Sequence, residues 1–411
     1  MPWEKYVTPV LPLEIRLALA LLPLLNLAVP NCLGQIAGQA DQQRDTAIAL
    51  EQQGSFAEAE SAWRVYLKGH PADAEAFAHL GLLEAHQEHY AQAVPLYRKA
   101  LALDPAMPGL QLDLGLSLFK SGALKEAIQT FTPLLKSEPP SSPEALRLVT
   151  LIGLAHYGLG EYAAAIPFLK QATAADAQNL PFRLALAHSC LWSKQYQCVL
   201  DVYHQILTLN AESAEADMLA GEAMDEMNDS AGAIVQFRAA VKQDPRLPDV
   251  HFGLGYLLWV QLQYEEAAQQ FKAELANNPD HAQALIYLAD TDIKLSHPEA
   301  ASPLLEKAIG IAPGIELAHL DLATLYNDAG RKDEALRELK IAERLGPDDQ
   351  NVHYRLARFY QAAGMKVEAS SEFEKTRSIQ KAADETVFKK LHPSQADSKP
   401  AADAPRAPTA N

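Results

Sequence analysis

Proline recurs at Pro71, Pro105 and Pro139, and again at Pro245, Pro279, Pro313 and Pro347, in two series of constant 34-residue spacing. A fixed period of this length confines the chain to an array of one supersecondary unit, because such a unit is too short to bury its own apolar face and must stack on its neighbours. With this proline as position 32, repeats start at 40, 74, 108, 146, 180, 214, 248, 282, 316 and 350. The register breaks once, at the four-residue insertion Ser141-Ser-Pro-Glu144, and Ala177 and Ala211 replace the proline of repeats 4 and 5. Alanine and leucine dominate the composition and only 7% of residues are aromatic, which favours helix throughout.

Within the period, residue size alternates in a fixed pattern. Position 8 (Ala47, Gly81, Gly115, Gly153, Ala187, Gly221, Gly255, Ala289, Ala323, Ala357) and position 20 (Ala59 through Ala369) hold glycine or alanine in nineteen cases of twenty, Val199 being the exception. Small side chains at one height on two helices let their axes approach, as an antiparallel hairpin requires. Position 24 is the complement, with Trp63, Tyr97, Phe131, Leu169, Tyr203, Phe237, Phe271, Leu305, Leu339 and Phe373, each large enough to fill the space toward the next repeat. Gly54, Gly122, Gly160, Gly330 and Gly364 fall at position 15, with Asn228 in the same place, and suit a left-handed helix C-cap between the two helices. The proline ends the second helix and opens the next repeat.

These residues, in runs such as Leu80-Gly81-x-x-Glu84 followed by Tyr90-x-x-Ala93-x-x-x-Tyr97-x-x-Ala100-Leu101-x-x-x-Pro105, resemble the tetratricopeptide repeat family over about residues 40–383. The resemblance implies an all-α α-solenoid of about ten 34-residue helix-turn-helix units coiled into a right-handed superhelix, with the array spanning 41–383. Pro298, Lys332 and Lys366 replace the family's aromatic at position 17 in repeats 8 to 10, so the array is expected to loosen toward its C-terminal end. Thr386-Val-Phe-Lys-Lys-Leu391 reads as a capping helix over 384–392, and the Pro/Ala-rich stretch 393–411 as a disordered tail.

By the same resemblance the concave wall is built by first helices, chiefly positions 2, 5, 9, 12 and 13. In repeats 3 to 7 these positions carry an apolar and aromatic band: Leu112, Leu116, Phe119, Leu154, Tyr157, Leu184, His188, Trp192, Met218, Phe252, Tyr256 and Trp259. Repeat 6 adds three acids, Glu222, Asp225 and Glu226. Helical spacing alone also suits core packing for each of these aromatics and a solvated face for the acids. Positions 8, 20 and 24 already account for the hairpin core, which points the band toward a binding groove. Trp192, Tyr256 and Trp259 are the expected anchors, since flat aromatics with a polar handle dominate binding energetics. The family's carboxylate-gripping site needs lysine, asparagine and arginine on these faces, and the central repeats offer almost no such cations. The expected partner is therefore an apolar segment or amphipathic helix, with a basic residue meeting the acids. A glycan stacked on the same rings is the alternative.

The first forty residues follow another rule: Lys5 and Arg16, then the apolar run from Leu17 to Val29, then small residues around Ala40. That layout reads as a secretory signal over 1–40, with an apolar core too short, and too interrupted by Pro23 and Asn26, for a stable membrane span. Export to the periplasm or out of the cell is the expectation. Removing the segment takes two charges of each sign and leaves the net charge at −17, so nucleic acid is not an expected partner. Of the remaining cysteines, Cys190 and Cys198 flank the turn of repeat 5, where free thiols and a disulfide are both open readings. His86-Gln-Glu-His89, with His79 or Glu84, is the one spacing that suggests a metal, and thirteen scattered histidines produce such pairs by chance. No phosphate loop, nucleophile elbow or zinc-protease motif occurs. The reading is a non-enzymatic scaffold without cofactor or metal.

Overall fold

The computed structural model describes residues 40–209 and 212–391, with side chains over 42–209 and 212–385. The expected signal segment up to residue 39 and the tail from 393 lie outside the described residues. Two compact units divide the chain, the first ending at Asp244 and the second beginning at Pro245.

In the first unit, six helical pairs follow one another. They are α1 Ala40–Gln52 with α2 Phe56–Gly69, α3 Ala74–His86 with α4 Tyr90–Leu103, and α5 Leu110–Lys120 with α6 Leu124–Ser137. Then come α7 Pro143–Gly158 with α8 Tyr162–Ala175, α9 Leu180–Trp192 with α10 Tyr196–Thr208, and α11 Ala214–Glu226 with α12 Ser230–Gln243. The second unit holds four pairs: α13 Val250–Val260 with α14 Tyr264–Asn277, α15 Ala282–Lys294 with α16 Pro298–Ile311, α17 Glu316–Asp328 with α18 Lys332–Leu345, and α19 Gln350–Ala362 with α20 Lys366–Leu391. No strand occurs among the described residues. Each pair occupies one 34-residue repeat. The insertion lengthens the entry to α7, where Pro143 takes the first helical turn and Ser142 Oγ accepts from the Ala145 N–H. The capping helix expected over 384–392 is not a separate element, since α20 runs unbroken to Leu391.

The hairpins close by one recurring contact. A Cβ built on Gly115 would stand 2.3 Å from Phe131 Cε1, one on Gly81 2.6 Å from Tyr97, and those on Gly221 and Gly255 2.8 Å from Phe237 and Phe271. The ring of position 24 thus lies on the bare backbone of position 8 in its own repeat, rather than only filling space toward the next. Elsewhere the pair varies: Leu305 and Leu339 face Ala289 and Ala323, Leu169 faces Gly153, and Trp63, Tyr203 and Phe373 face Ala47, Ala187 and Ala357. Trp63, Tyr97, Phe131, Leu169, Phe271 and Leu305 are fully buried. Neighbouring hairpins then share side chains, and one apolar cluster runs from Ala78 to Ala223 within the first unit.

The turn is more uniform than its sequence. All ten residues at position 15 have positive φ: the five glycines and Asn228, and also Glu88, Lys194, Leu262 and Ser296. In each, the next N–H reaches back five residues, as from Gln263 to Leu258 O at 2.9 Å and from His297 to Asp292 O at 2.7 Å, the pattern of a Schellman cap. Repeats 8 to 10 keep this turn without an aromatic at position 17. Cys190 and Cys198 flank the turn of repeat 5 with Cα atoms 5.8 Å apart, and their sulfurs are joined.

A third device ties repeats together. His319 Nε2 meets Pro313 O at 3.1 Å and its Nδ1 meets Glu338 Oε2 at 2.7 Å; His353 meets Pro347 O at 2.8 Å and Glu372 Oε2 at 2.6 Å. Both histidines stand at position 4, both acids at position 23, and both carbonyls at position 32 of the preceding repeat. The imidazole satisfies a carbonyl of the turn between repeats, beyond the end of the preceding helix. In repeat 7 His251 makes the position-23 half of the tie, to Gln270 at 2.7 Å.

Two outcomes follow from the hairpin. Gly115→Ala should destabilise the chain by about 1–3 kcal/mol despite alanine's higher helix propensity of about 1 kcal/mol, because Phe131 has nowhere to retreat. Adding Phe131→Leu should recover part of that loss, a coupling readable by a double-mutant cycle in urea. Leu262 is 69% exposed in a left-handed conformation, so Leu262→Gly should stabilise by about 1 kcal/mol in the same assay, with no packing surrendered.

Candidate partner-binding surface

The first helices present the band read from sequence, and burial divides it. Phe119, Tyr157, Leu184, Phe252 and Glu222 are buried, at 2 to 9% exposure. Their side chains are packing elements, because helix face fixes direction but the next hairpin decides cover. Leu112, Leu116, His188, Trp192, Met218, Asp225, Glu226, Tyr256 and Trp259 remain partly open.

In the first unit, α7, α9 and α11 bring a continuous edge together. Trp192 stacks on Tyr162 at 6.1 Å between centroids, and Tyr162 meets Tyr157 edge-on at 5.9 Å. His188 tilts against Tyr157 and its Nε2 is 2.8 Å from Glu215 Oε1. Tyr196 donates its hydroxyl proton to Glu226 at 3.0 Å, and Ser230 Oγ lies 3.4 Å from Asp225. Burial, with Glu226 close by, pushes the Asp225 carboxyl above its ordinary range. Tyr162 and Tyr196, at position 17, complete this edge. They escaped a reading confined to first helices, although position 17 carries an aromatic in half of the repeats.

In the second unit, α13 and α15 form a tighter aromatic platform. Tyr256 and Trp259 stack at 6.2 Å, and Tyr287 stands edge-on to both, at 5.4 and 5.1 Å. Trp259 Nε1 donates to Asp290 Oδ2 at 2.6 Å, which fixes the indole, while Lys294 pairs with Asp290 at 3.3 Å and reaches 5.8 Å from the Trp259 ring. Phe252 lies beneath, against Phe271, Tyr287 and His281. Behind the platform Asp321, 2% exposed, meets Arg355 Nη1 at 3.3 Å, and the same nitrogen donates to Thr324 Oγ1 at 2.7 Å. Asp321 Oδ2 is buried without a hydrogen-bond partner. Burial first, and the neighbouring Asp290 charge second, push Asp321 up to about 7 against Arg355 and Lys294. Tyr287, Asp290, Lys294, Asp321 and Arg355 belong to repeats 8 to 10, beyond the stretch from which the sequence reading drew its candidates.

Two groups of side chains have metal-like composition, Asp249 with Glu274 and His281, and Glu343 with His353 and Glu372. In the first, His281 Nδ1 accepts the Ala284 N–H at 3.1 Å as a helix cap, and Nε2 faces Asp249 at 2.8 Å. In the second, both nitrogens of His353 face acceptors. Neither ring aims a lone pair at a cation, so both groups are hydrogen-bond knots. The residues around His86 and His89 do not converge either. His86 stacks on Phe56, His89 meets Glu84 at 3.1 Å, and His79 is held by Glu51 at 2.8 Å. Burial opposes charge on His79, but Glu51 and Glu75 outweigh it and raise the ring to about 9.

Sequence profiles described as tetratricopeptide repeat match residues 84–152 and 293–353, residues 44–108, 218–282 and 252–314, and residues 146–179. Among curated proteins, cellulose synthase operon protein C of Xanthomonas axonopodis pv. citri is 26% identical over 298 residues, a match covering 66% of this chain and 18% of that protein. DnaJ homolog subfamily C member 7 homolog of Schizosaccharomyces pombe is 24% identical over 301 residues, covering 65% of this chain and 62% of that protein. The chain therefore spans less than two thirds of both relatives. Among solved structures, YrrB, described as a TPR protein with an unusual peptide-binding site, aligns at 20% identity over 46% of this chain and 97% of its own, with a TM-score of 0.37. MamA aligns at 20% identity over 40% and 96%, with a TM-score of 0.36.

The Asp321 carboxyl yields a pH prediction. Folded, it keeps its proton to about 7, whereas unfolded it releases it near about 4, so between those values the folded state binds more protons and stability falls as pH rises. Asp321→Asn, neutral throughout, should melt higher than the parent at pH 8, and the gap should close as pH drops toward 4. Melting curves across that range check it; a gap independent of pH would show that the charge is compensated.

Proposed function

This chain belongs to the tetratricopeptide repeat family, and from that premise we propose that it is a non-enzymatic, exported scaffold that binds a protein partner through its first-helix surface. The observation that carries the reading is a pair of aromatic faces left partly open yet held in place: Trp192 on Tyr162, and Tyr256 with Trp259 braced by Tyr287 and Asp290. Rings already fixed lose little freedom on binding and offer large apolar area. The partner is an apolar segment or amphipathic helix of the cell envelope, and Asp225 and Glu226 beside the first face favour a basic residue on it. Export is supported by the signal-like start of the sequence and by the Cys190–Cys198 bond, since such bonds persist in oxidising compartments.

A second reading rests on the same rings. Fixed aromatics flanked by carboxylates also suit sugar rings and their hydroxyls, and the similarity to a protein of a cellulose synthase operon gives that chemistry a context. On this reading the chain helps handle or export a polysaccharide.

A pull-down from the envelope fraction separates the two. The chain lacking residues 1–40 should capture a protein, and a folded Trp192→Ala, Tyr256→Ala, Trp259→Ala variant should lose it, with at least tenfold weaker affinity for anchors of this kind. Unchanged capture by the variant would place the binding surface elsewhere. Competition by free oligosaccharide, with no protein retained, would favour the glycan reading.

A further inference from the structure

The inter-repeat tie of repeats 9 and 10 has three parts: a basic side chain at position 4, a carboxylate at position 23, and the position-32 carbonyl of the preceding repeat. Repeat 5 keeps the first and third. Arg183 occupies position 4, and its Nη1 donates to Ala177 O at 2.6 Å. Position 23, however, is Val202. Arg183 is 6% exposed, its Nε is buried without an acceptor, and among the described residues no carboxylate pairs with it. A buried cation lacking the counter-charge that its own repeat pattern supplies elsewhere is an arrangement that calls for an anion from outside.

A cavity of about 400 Å³ opens beside it, between α8, α9 and α10. Lys170, Gln205 and Asp201 supply polar lining at its exposed side, and Leu186 and Val202 an apolar wall. Asp201 is engaged by the Gln197 amide at 3.0 Å. The guanidinium bonds the carbonyl through Nη1, which leaves the edge carrying Nε and Nη2, the edge suited to two oxygens of one acidic group. The volume falls within the range of small-molecule sites.

We propose that this cavity binds a small organic oxyanion, a carboxylate or phosphate ester, whose charged end replaces the missing position-23 carboxylate against Arg183 while its apolar body rests on Leu186 and Val202. Lys170 is the second cation, reached from solvent. The site is separate from the aromatic faces described above and does not depend on what they bind.

The test uses the full chain with sodium butyrate and inorganic phosphate as probes, each against sodium chloride at equal ionic strength. The melting midpoint should rise by about 2 °C or more with at least one probe, as expected for a ligand well above its Kd. Which probe acts reports the preferred acidic group. Arg183→Gln should weaken that response at least tenfold in probe concentration. Val202→Glu, which installs the acid that Glu338 and Glu372 provide in their repeats, should melt higher without any probe and lose the response. No response in the parent chain overturns the proposal. So does an equal response in the parent and both variants, which would assign the effect to other surface cations.

Discussion

Four repeats close on an aromatic ring pressed against the bare backbone of a glycine, and the same two positions hold a large and a small residue in the other six. Among the glycine pairs, Phe131 over Gly115 is the tightest. Glycine at position 8 receives a phenylalanine or tyrosine ring in four repeats, whereas alanine there faces Leu305 and Leu339 but also Trp63, Tyr203 and Phe373. Interaxial distance within the hairpin follows from that exchange of volume. Once it is set, the left-handed residue at position 15 must fall where the chain reverses, whatever its side chain.

Between repeats, polar groups add to the shared apolar packing. The second helix ends at position 30, and a basic side chain from the next repeat meets the position-32 carbonyl in the turn that follows. His319 and His353 do so with an acid behind them, and Arg183 does so alone. Repeats 8 to 10 lack the aromatic at position 17, which suggested a looser end. Their turns are nevertheless complete, and repeats 9 and 10 carry the full tie, because closure depends on positions 8, 15 and 24, and the loss at position 17 touches none of these.

Much of this is legible in the amino-acid sequence. Period, helix pairing and the glycines of the turn are local, and local chemistry is written in order along the chain. The four turns at Glu88, Lys194, Leu262 and Ser296 were not legible, because their left-handed backbone is imposed by the surrounding hydrogen bonds rather than chosen by the residue. The candidate surface was legible by face but not by cover: Tyr157 and Trp259 both stand at position 12, yet one is buried and the other partly open. The ties could have been found by asking which charged residues recur at position 4. Their acids lie nineteen residues away on the second helix, a separation that no periodicity of a single helix reveals.

Gly115 and Phe131 are less than half a repeat apart in sequence, and so are all their counterparts. The closing contact of each hairpin therefore forms without waiting for any distant part of the chain, the condition under which folding is fastest. A polypeptide threaded end-first through a narrow exit, whether a ribosomal tunnel or a translocation pore, presents such a hairpin as soon as its second helix clears the opening. Apolar surface is then covered nearly at the rate at which it emerges, and the stretch open to aggregation stays on the order of one repeat however long the array becomes.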